Sequence, residues 1–334
     1  MFHHCDILVA LAALLCLAFS VVLPHIASTE TARLEIYSIE TLTLTDRQFL
    51  LGAKDGIPAR IGAELRLPQG TARIPAVVLI HGSGGVGANV DAWAQALNAM
   101  GIAALVLDSF TGRGISQTIT DQSQLSSFSM IVDAYKGLEL LSRHPRIDPE
   151  RIAVIGFSKG GFASLYSSMK RFQRLWGTPG VEFAAYISFY TRCDAPLLED
   201  ENVSDRPIRL FHGSADDYVP VEPTRSYVDR LKHAGKDIQL TVYDGARHTF
   251  DNPLYPSVLS LPDAVLTSNC RREERQPGDI INLDTGKTFT WKDVCVTRGA
   301  TVGFDPNART QAMKAVSLFL RAQWSLPSSF VKSD

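Results

Sequence analysis

From about Arg33 onward, apolar and polar positions fall into short runs with two different periods. "RLEIYSIETL" and "ARIGAELRLP" alternate as half-exposed strands and predict a hairpin. "IPAVVLIHG" is continuously apolar and stops at Gly82. Such a run suits a strand covered on both faces of a parallel sheet. "AALVLD", "RIAVIGFS", "VEFAAYISFY", "PIRLFHG" and "IQLTVYDG" extend the series. Helical stretches separate the strands. One lies near 91–100. Another, "FSMIVDAYKGLELLSRH", puts Met130, Ala134, Leu138 and Leu141 on one stripe and ends before Pro145. A third runs from "GFSKGG" through Lys170, and a fourth lies near 222–234. The last helix opens with Asp305 as N-cap and Pro306 at its first position, and buries Ala312, Val316, Phe319 and Leu320. The β-α-β-α alternation predicts an α/β fold, a mostly parallel central sheet with helices on both faces.

One stretch breaks the rhythm. Residues 251–303 are rich in turn formers, hold the charge run "RREER", and contain a small hairpin, "IINLDTGKTFTW", turning at 284–287. The expectation is one domain over residues 33–326, with 251–303 as an insertion before the last helix. It serves either as a lid or as edge packing.

Residues 7–23 form an apolar run broken only by Ser20 and stopped by Pro24. About 20 residues are usual for a bilayer-spanning helix, so this shorter run reads as a signal peptide over residues 1–28, with an uncleaved anchor as the alternative. The working part is then expected to be secreted or periplasmic. With Lys+Arg 33 against Asp+Glu 35, net charge is −2, which gives no pull toward nucleic acid. Membrane contact is expected only if the leader stays attached. Outside the leader, with its Cys5 and Cys16, remain Cys193, Cys270 and Cys295. In an oxidising compartment two of the three are expected to pair: Cys270 and Cys295, which flank one local segment, are the expected couple, leaving Cys193 free, and the alternative is that Cys193 takes one of the other two. No His/Cys spacing suits a metal, and no cofactor is implied.

The most informative residues are "GFSKGG", a G-x-S-x-G turn between a buried strand and a helix. That context marks a nucleophile elbow with Ser158 at its tip. A serine needs a base. Of eight histidines, His81 and His212 precede Gly at strand ends and read as packed, and His144 and His233 lie at helix ends and read as solvated. His248, in "DGARHTF", follows the last strand, where it can reach a serine at the same sheet edge. "HGSADDYVP" supplies the acid after the preceding strand. Asp216, four residues before Pro220, is chosen over Asp217, and the order Ser, Asp, His is the one used by the α/β-hydrolase fold. An oxyanion hole needs two N–H donors. The Lys159 amide is one. Ser83 of "HGSGG" is the expected other, with Gly84 next. No G-K-[ST] follows that stretch, so a P-loop is excluded.

"HGSGG", "GFSKGG", "GSADDYVP" and "DGARHTF", in this order, resemble the dienelactone hydrolase family of the α/β-hydrolase superfamily. The resemblance covers about 72–248 and resumes in the last helix, and "LDSFTGRG" also looks like a loop of that family. Dienelactone hydrolase itself carries cysteine in the elbow. Ser158 therefore resembles the serine-bearing esterase branch, and the segment after His248 is a second departure. The resemblance implies hydrolysis of a small-molecule ester or lactone through an acyl-enzyme. A peptidase, an acyltransferase and a silent binding module are the alternatives. Arg113 and Lys159 are candidate contacts for an anionic substrate. The plainer readings are an Asp108–Arg113 ion pair and a solvated lysine. Phe110, Phe157 and Tyr218 are candidate pocket walls, packing being the plainer reading.

Overall fold

The computed structural model describes residues 31–327, so the leader expected over 1–28 lies outside the described residues. Eight strands form the central sheet: β1 (Thr31–Thr43), β2 (Ile57–Pro68), β3 (Ile74–Ile80), β4 (Ala103–Asp108), β5 (Ile147–Phe157), β6 (Ala185–Phe189), β7 (Ile208–Gly213) and β8 (Ile238–Tyr243). Their spatial order is β1-β2-β4-β3-β5-β6-β7-β8. β2 runs antiparallel to β1 and β4, and the pairs from β4 to β8 are parallel. The continuous apolar runs are the strands covered on both sides. β3 sends Val78 and Ile80 into one core and Val77 and Leu79 into the other. The first core is closed by α1 (Asp46–Leu51), α3 (Ser127–Ser142), α4 (Lys159–Tyr166), α5 (Lys170–Trp176) and α6 (Val221–His233). The second is closed by α2 (Ala88–Ala99) and α7 (Pro306–Trp324).

Two local expectations need correction. β1 and β2 pair as expected, but α1 lies between them, with Thr45 capping it through a reciprocal Thr45–Gln48 box. The helix after Ser158 stops at Tyr166 instead of continuing through Lys170. The Ser167 and Ser168 hydroxyls bond back to the carbonyls of Ser164 and Leu165, and Met169 turns extended to bridge Val203. α5 then starts afresh.

Residues 251–303 hold two small sheets. β9 (Leu259–Leu266) pairs with β13 (Thr297–Val302). β10 (Arg272–Gln276), β11 (Asp279–Asn282) and β12 (Lys287–Thr288) form the other, with the expected β11–β12 turn. The charge run is not a solvated loop. Strand alternation turns Arg272 and Glu274 inward. Glu274 receives a two-pronged ion pair from buried Arg171 at 2.7 and 2.8 Å, and Arg272 reaches Asp194 at 2.7 Å. Cys270 and Cys295 form a disulfide, and Cys193 is free and buried. Among the described residues no helix is long and apolar enough to cross a membrane.

Candidate active site

The C-terminal ends of β3, β5, β7 and β8 deliver the expected residues to one place. Ser158 sits between β5 and α4 with φ 54° and ψ −113°, a conformation side chains rarely adopt, with a cost of about 1–3 kcal/mol. The residues two before and two after it must be glycine. A Cβ on Gly156 would lie 1.9 Å from the carbonyl oxygen of Gly160, and one on Gly160 would lie 2.3 Å from that of Ile80. The Ser158 N–H donates to Phe189 O at 3.0 Å and ties the turn to β6.

Ser158 Oγ lies 2.8 Å from His248 Nε2, and His248 Nδ1 donates to Asp216 Oδ2 at 2.8 Å. A carboxylate can only accept here, so the proton of neutral His248 sits on Nδ1 and Nε2 faces the hydroxyl. Asp216 Oδ1 accepts from the amides of Tyr218 and Val219. His212, read from sequence as a packed turn residue, is buried but also faces this carboxylate: its Nε2 lies 3.3 Å from Asp216 Oδ2 and 2.7 Å from Val219 O. Burial alone would raise the Asp216 carboxyl, but the charges and hydrogen bonds of His248 and His212 outweigh it and pull it down to about 2. Asp217 points elsewhere and binds the Thr301 amide and hydroxyl at 2.8 and 2.7 Å. The His248 ring lies between Tyr190, 4.7 Å away, and Tyr218, 4.9 Å away. Tyr190 in turn donates to buried Asp251, which also accepts from Trp93.

The Lys159 amide occupies the first position of α4, where an N–H has no acceptor within the helix. Ser83 and Gly84 lie on the loop after β3 and line the space over Ser158. Two cavities meet at Ser158. One is lined by Lys159, Gln122, Phe162, Arg192, Leu266 and Trp291. The other contains His248, Tyr190, Asn252, Tyr255 and Leu261, with Phe157 and Gly84 in its wall. Tyr218 borders both, and segment 251–303 contributes walls to both.

Other expectations are corrected. Arg113 is no substrate contact and does not pair with Asp108. It is buried and grips Asp133 with both guanidinium nitrogens at 2.8 and 2.9 Å, while Asp108 caps the amides of Phe110 and Thr111. Phe110 is packed against His81, with ring centroids 4.4 Å apart, away from both cavities. His144 is tied to Glu35 at 3.1 Å instead of being solvated. The Lys159 side chain is buried, with Nζ donating to Gln122 Oε1 and O at 3.1 and 3.3 Å. Burial, helped by the Arg192 charge, lowers this ammonium to about 7. Sequence reasoning missed Gln122, Arg192 and Asp194. No motif marks them, because each acquires its place only when distant loops meet.

This strand order, with a serine turn after β5, an acid after β7 and a histidine after β8, defines an α/β-hydrolase fold. The chain belongs to the dienelactone hydrolase family, whose profile matches residues 61–270. The fold is shared with a dienelactone hydrolase-like promiscuous phosphotriesterase from metagenomic libraries, at TM-score 0.55 and 17% identity over 87% of this chain and 98% of that one. A second solved chain, m3DLH, matches at TM-score 0.56 and 19% identity over 86% and 98%. In sequence, acyl-protein thioesterase 1 of Gibberella zeae is 34% identical over 31% of this chain and 43% of its own length. A probable 2-oxo-3-(5-oxofuran-2-ylidene)propanoate lactonase of Bradyrhizobium sp is 25% identical over 56% and 78%. Dipeptidyl peptidase family member 1 of Caenorhabditis elegans is 26% identical over 40% and 18%. The chain thus spans less than half the length of the thioesterase and the peptidase it matches.

Proposed function

We propose that this chain hydrolyses carboxylic esters or lactones through an acyl-enzyme on Ser158. The observation that carries the reading is the unbroken line Ser158 Oγ–His248 Nε2 and His248 Nδ1–Asp216 Oδ2, with both steps 2.8 Å. His248 takes the serine proton as Ser158 attacks the carbonyl carbon, and Asp216 holds the imidazole and its developing charge. The amides of Ser83 and Lys159 receive the oxyanion. His248 then returns its proton to the leaving oxygen. It next draws a proton from water, whose oxygen attacks the acyl carbon, and releases the acid. The leaving group must lie beside the proton donor. This assigns it to the cavity containing His248 and Tyr255, and the acyl half to the cavity containing Lys159 and Trp291. Membership of the family and the relatives named as a thioesterase and a lactonase support an acyl-transfer reading. The disulfide supports an oxidising compartment, secreted or periplasmic, and residues 251–303 act as the roof of the site.

A fluorophosphonate should label the wild type and not Ser158→Ala, and p-nitrophenyl butyrate turnover should disappear with the label. Equal labelling of both proteins would reject the assignment. A p-nitroanilide in the same assay tests the peptidase alternative, and an added alcohol acceptor tests the acyltransferase one.

A further inference from the structure

The two amides assigned to the oxyanion come from separate elements. Lys159 opens α4, and Ser83 lies on the loop after β3. Donors must sit about 2.7–3.1 Å from the developing oxyanion, and small displacements are expensive. β3 and β5 are neighbours in the sheet, but pairing of the two strands ends at Ile80 and Gly156, short of both donors. Gly160 against the Ile80 and His81 carbonyls and Gly82 against Phe157 bring the two backbones together, and side-chain contacts add to what sets the separation of the donors.

The side chains of both donor residues meet at one glutamine. Lys159 Nζ donates to Gln122 Oε1 at 3.1 Å and to Gln122 O at 3.3 Å. Gln122 Nε2 donates to Ser83 Oγ at 3.0 Å and faces Tyr218 Oη, the ring beside His248, at 3.4 Å. The carrier of Gln122 is itself fixed. Asp121 caps the short turn Gln122–Gln124 through the Ser123 amide and hydroxyl. The Thr118 amide donates to Ser83 O at 2.8 Å. Among the described residues no carboxylate stands within ion-pair distance of Lys159 Nζ, so the buried ammonium has only the two Gln122 oxygens to satisfy it. A buried lysine so held costs stability, and local rules are typically broken where function requires it.

We propose that Gln122 is the positioning residue of the oxyanion hole: its amide and carbonyl clasp the side chains of Ser83 and Lys159 and so fix the distance between their backbone N–H groups. The inference rests on the serine-hydrolase reading above. It gives Gln122 no contact with the reacting atoms. Its effect passes through the two donors and therefore falls on the transition state, where charge collects on the oxygen.

The test uses the full chain and p-nitrophenyl butyrate, with Ser158→Ala as control. Gln122→Met keeps the volume and removes the clasp. It should lower kcat by about 10- to 100-fold, less than the roughly 10²–10³ lost with a whole donor. KM should stay within about threefold, and the melting temperature should fall by only a few degrees, because Lys159 Nζ loses Oε1 but keeps the Gln122 carbonyl. Gln122→Glu can still accept from Lys159 Nζ and from the Ser83 hydroxyl, so it should recover most of that loss. Ser83→Ala removes the tie but keeps the backbone donor. It should lower kcat at unchanged KM, and adding it to Gln122→Met should lower kcat no further. If Gln122→Met does not fold, Ser83→Ala decides alone. Full kcat in Ser83→Ala or in folded Gln122→Met, or a raised KM at unchanged kcat, would overturn the inference and leave the function standing. Turnover retained by Ser158→Ala would remove the function and the inference together.

Discussion

Lys159→Met should make the protein more stable and less active at once. The ammonium is buried without a carboxylate partner, and its pKa falls from 10.5 to about 7. At 1.36 kcal/mol per pH unit, holding it charged inside the fold costs roughly 5 kcal/mol below pH 7. Methionine fills similar space without that charge. Gln122 loses a donor in exchange, so the expected gain at pH 6 is about 2–4 kcal/mol. The sign follows from proton binding. The unfolded chain keeps this proton up to pH 10.5, whereas the folded chain releases it at about 7. Between those values the unfolded state binds more protons, so wild-type stability rises with pH and is lost again as pH falls toward 7. The advantage of the variant should therefore be largest below pH 7 and shrink by about 2–3 kcal/mol by pH 9. Urea unfolding of both proteins at pH 6, 7, 8 and 9 measures this. The difference curve cancels the other alkaline groups, including Cys193, whose thiol burial pushes up to about 12. In the same samples kcat on p-nitrophenyl butyrate should drop at least fivefold, since the clasp on Gln122 is gone. Stability curves that run parallel from pH 6 to 9, or a variant less stable throughout, would refute the reasoning.

Asp216→Asn should lower kcat/KM by about 10³–10⁴, because the amide no longer fixes the His248 tautomer. It should also lack a wild-type contribution of about 2 kcal/mol that is present above pH 4 and lost as pH falls toward 2, read by acid unfolding. Glu274→Ala leaves the Arg171 guanidinium buried without its partner and should cost about 3–5 kcal/mol in urea unfolding. A loss below 1 kcal/mol would mean that water reaches Arg171. Replacing Cys270 and Cys295 by serine opens a loop with a sequence separation of 25, worth about 3.5 kcal/mol by loop-closure entropy. Non-reducing peptide mapping of the wild type should recover the two cysteines joined.

What could be read in advance follows the range of the forces involved. Gly156, Ser158 and Gly160 are close in sequence, and their tight turn allows few other residues, so the elbow is visible locally. The sheet edge then narrows the search, since only residues just past β7 and β8 can reach it. Asp216 and Asp217 are not separable this way. Their roles diverge because one side chain turns to His248 and the other to Thr301, a residue far away in the chain. The same distance hides Gln122, whose partners Ser83, Lys159 and Tyr218 come from two loops and the start of α4. Charge is misread for a related reason. Arg113, read as a substrate contact or a partner of Asp108, and Arg272 and Glu274, seen only as part of a charge run, become interior ties once Asp133, Asp194 and Arg171 meet them. A helix end is similarly contingent: Ser167 and Ser168 bond back to carbonyls of the turn before them, and the bridge between Met169 and Val203, distant in the chain, completes the stop.

Asp217 holds Thr301, and the Gly303 amide donates to the carbonyl of His248 itself, at 3.0 Å. The segment that walls both cavities is thus stitched at its hem to the histidine loop. Anyone grafting a relative's segment onto this scaffold to change its substrate range should splice within 253–299. A graft that also replaces Thr301 or Gly303 would disturb the imidazole along with the walls, and a dead chimera would then say nothing about selectivity.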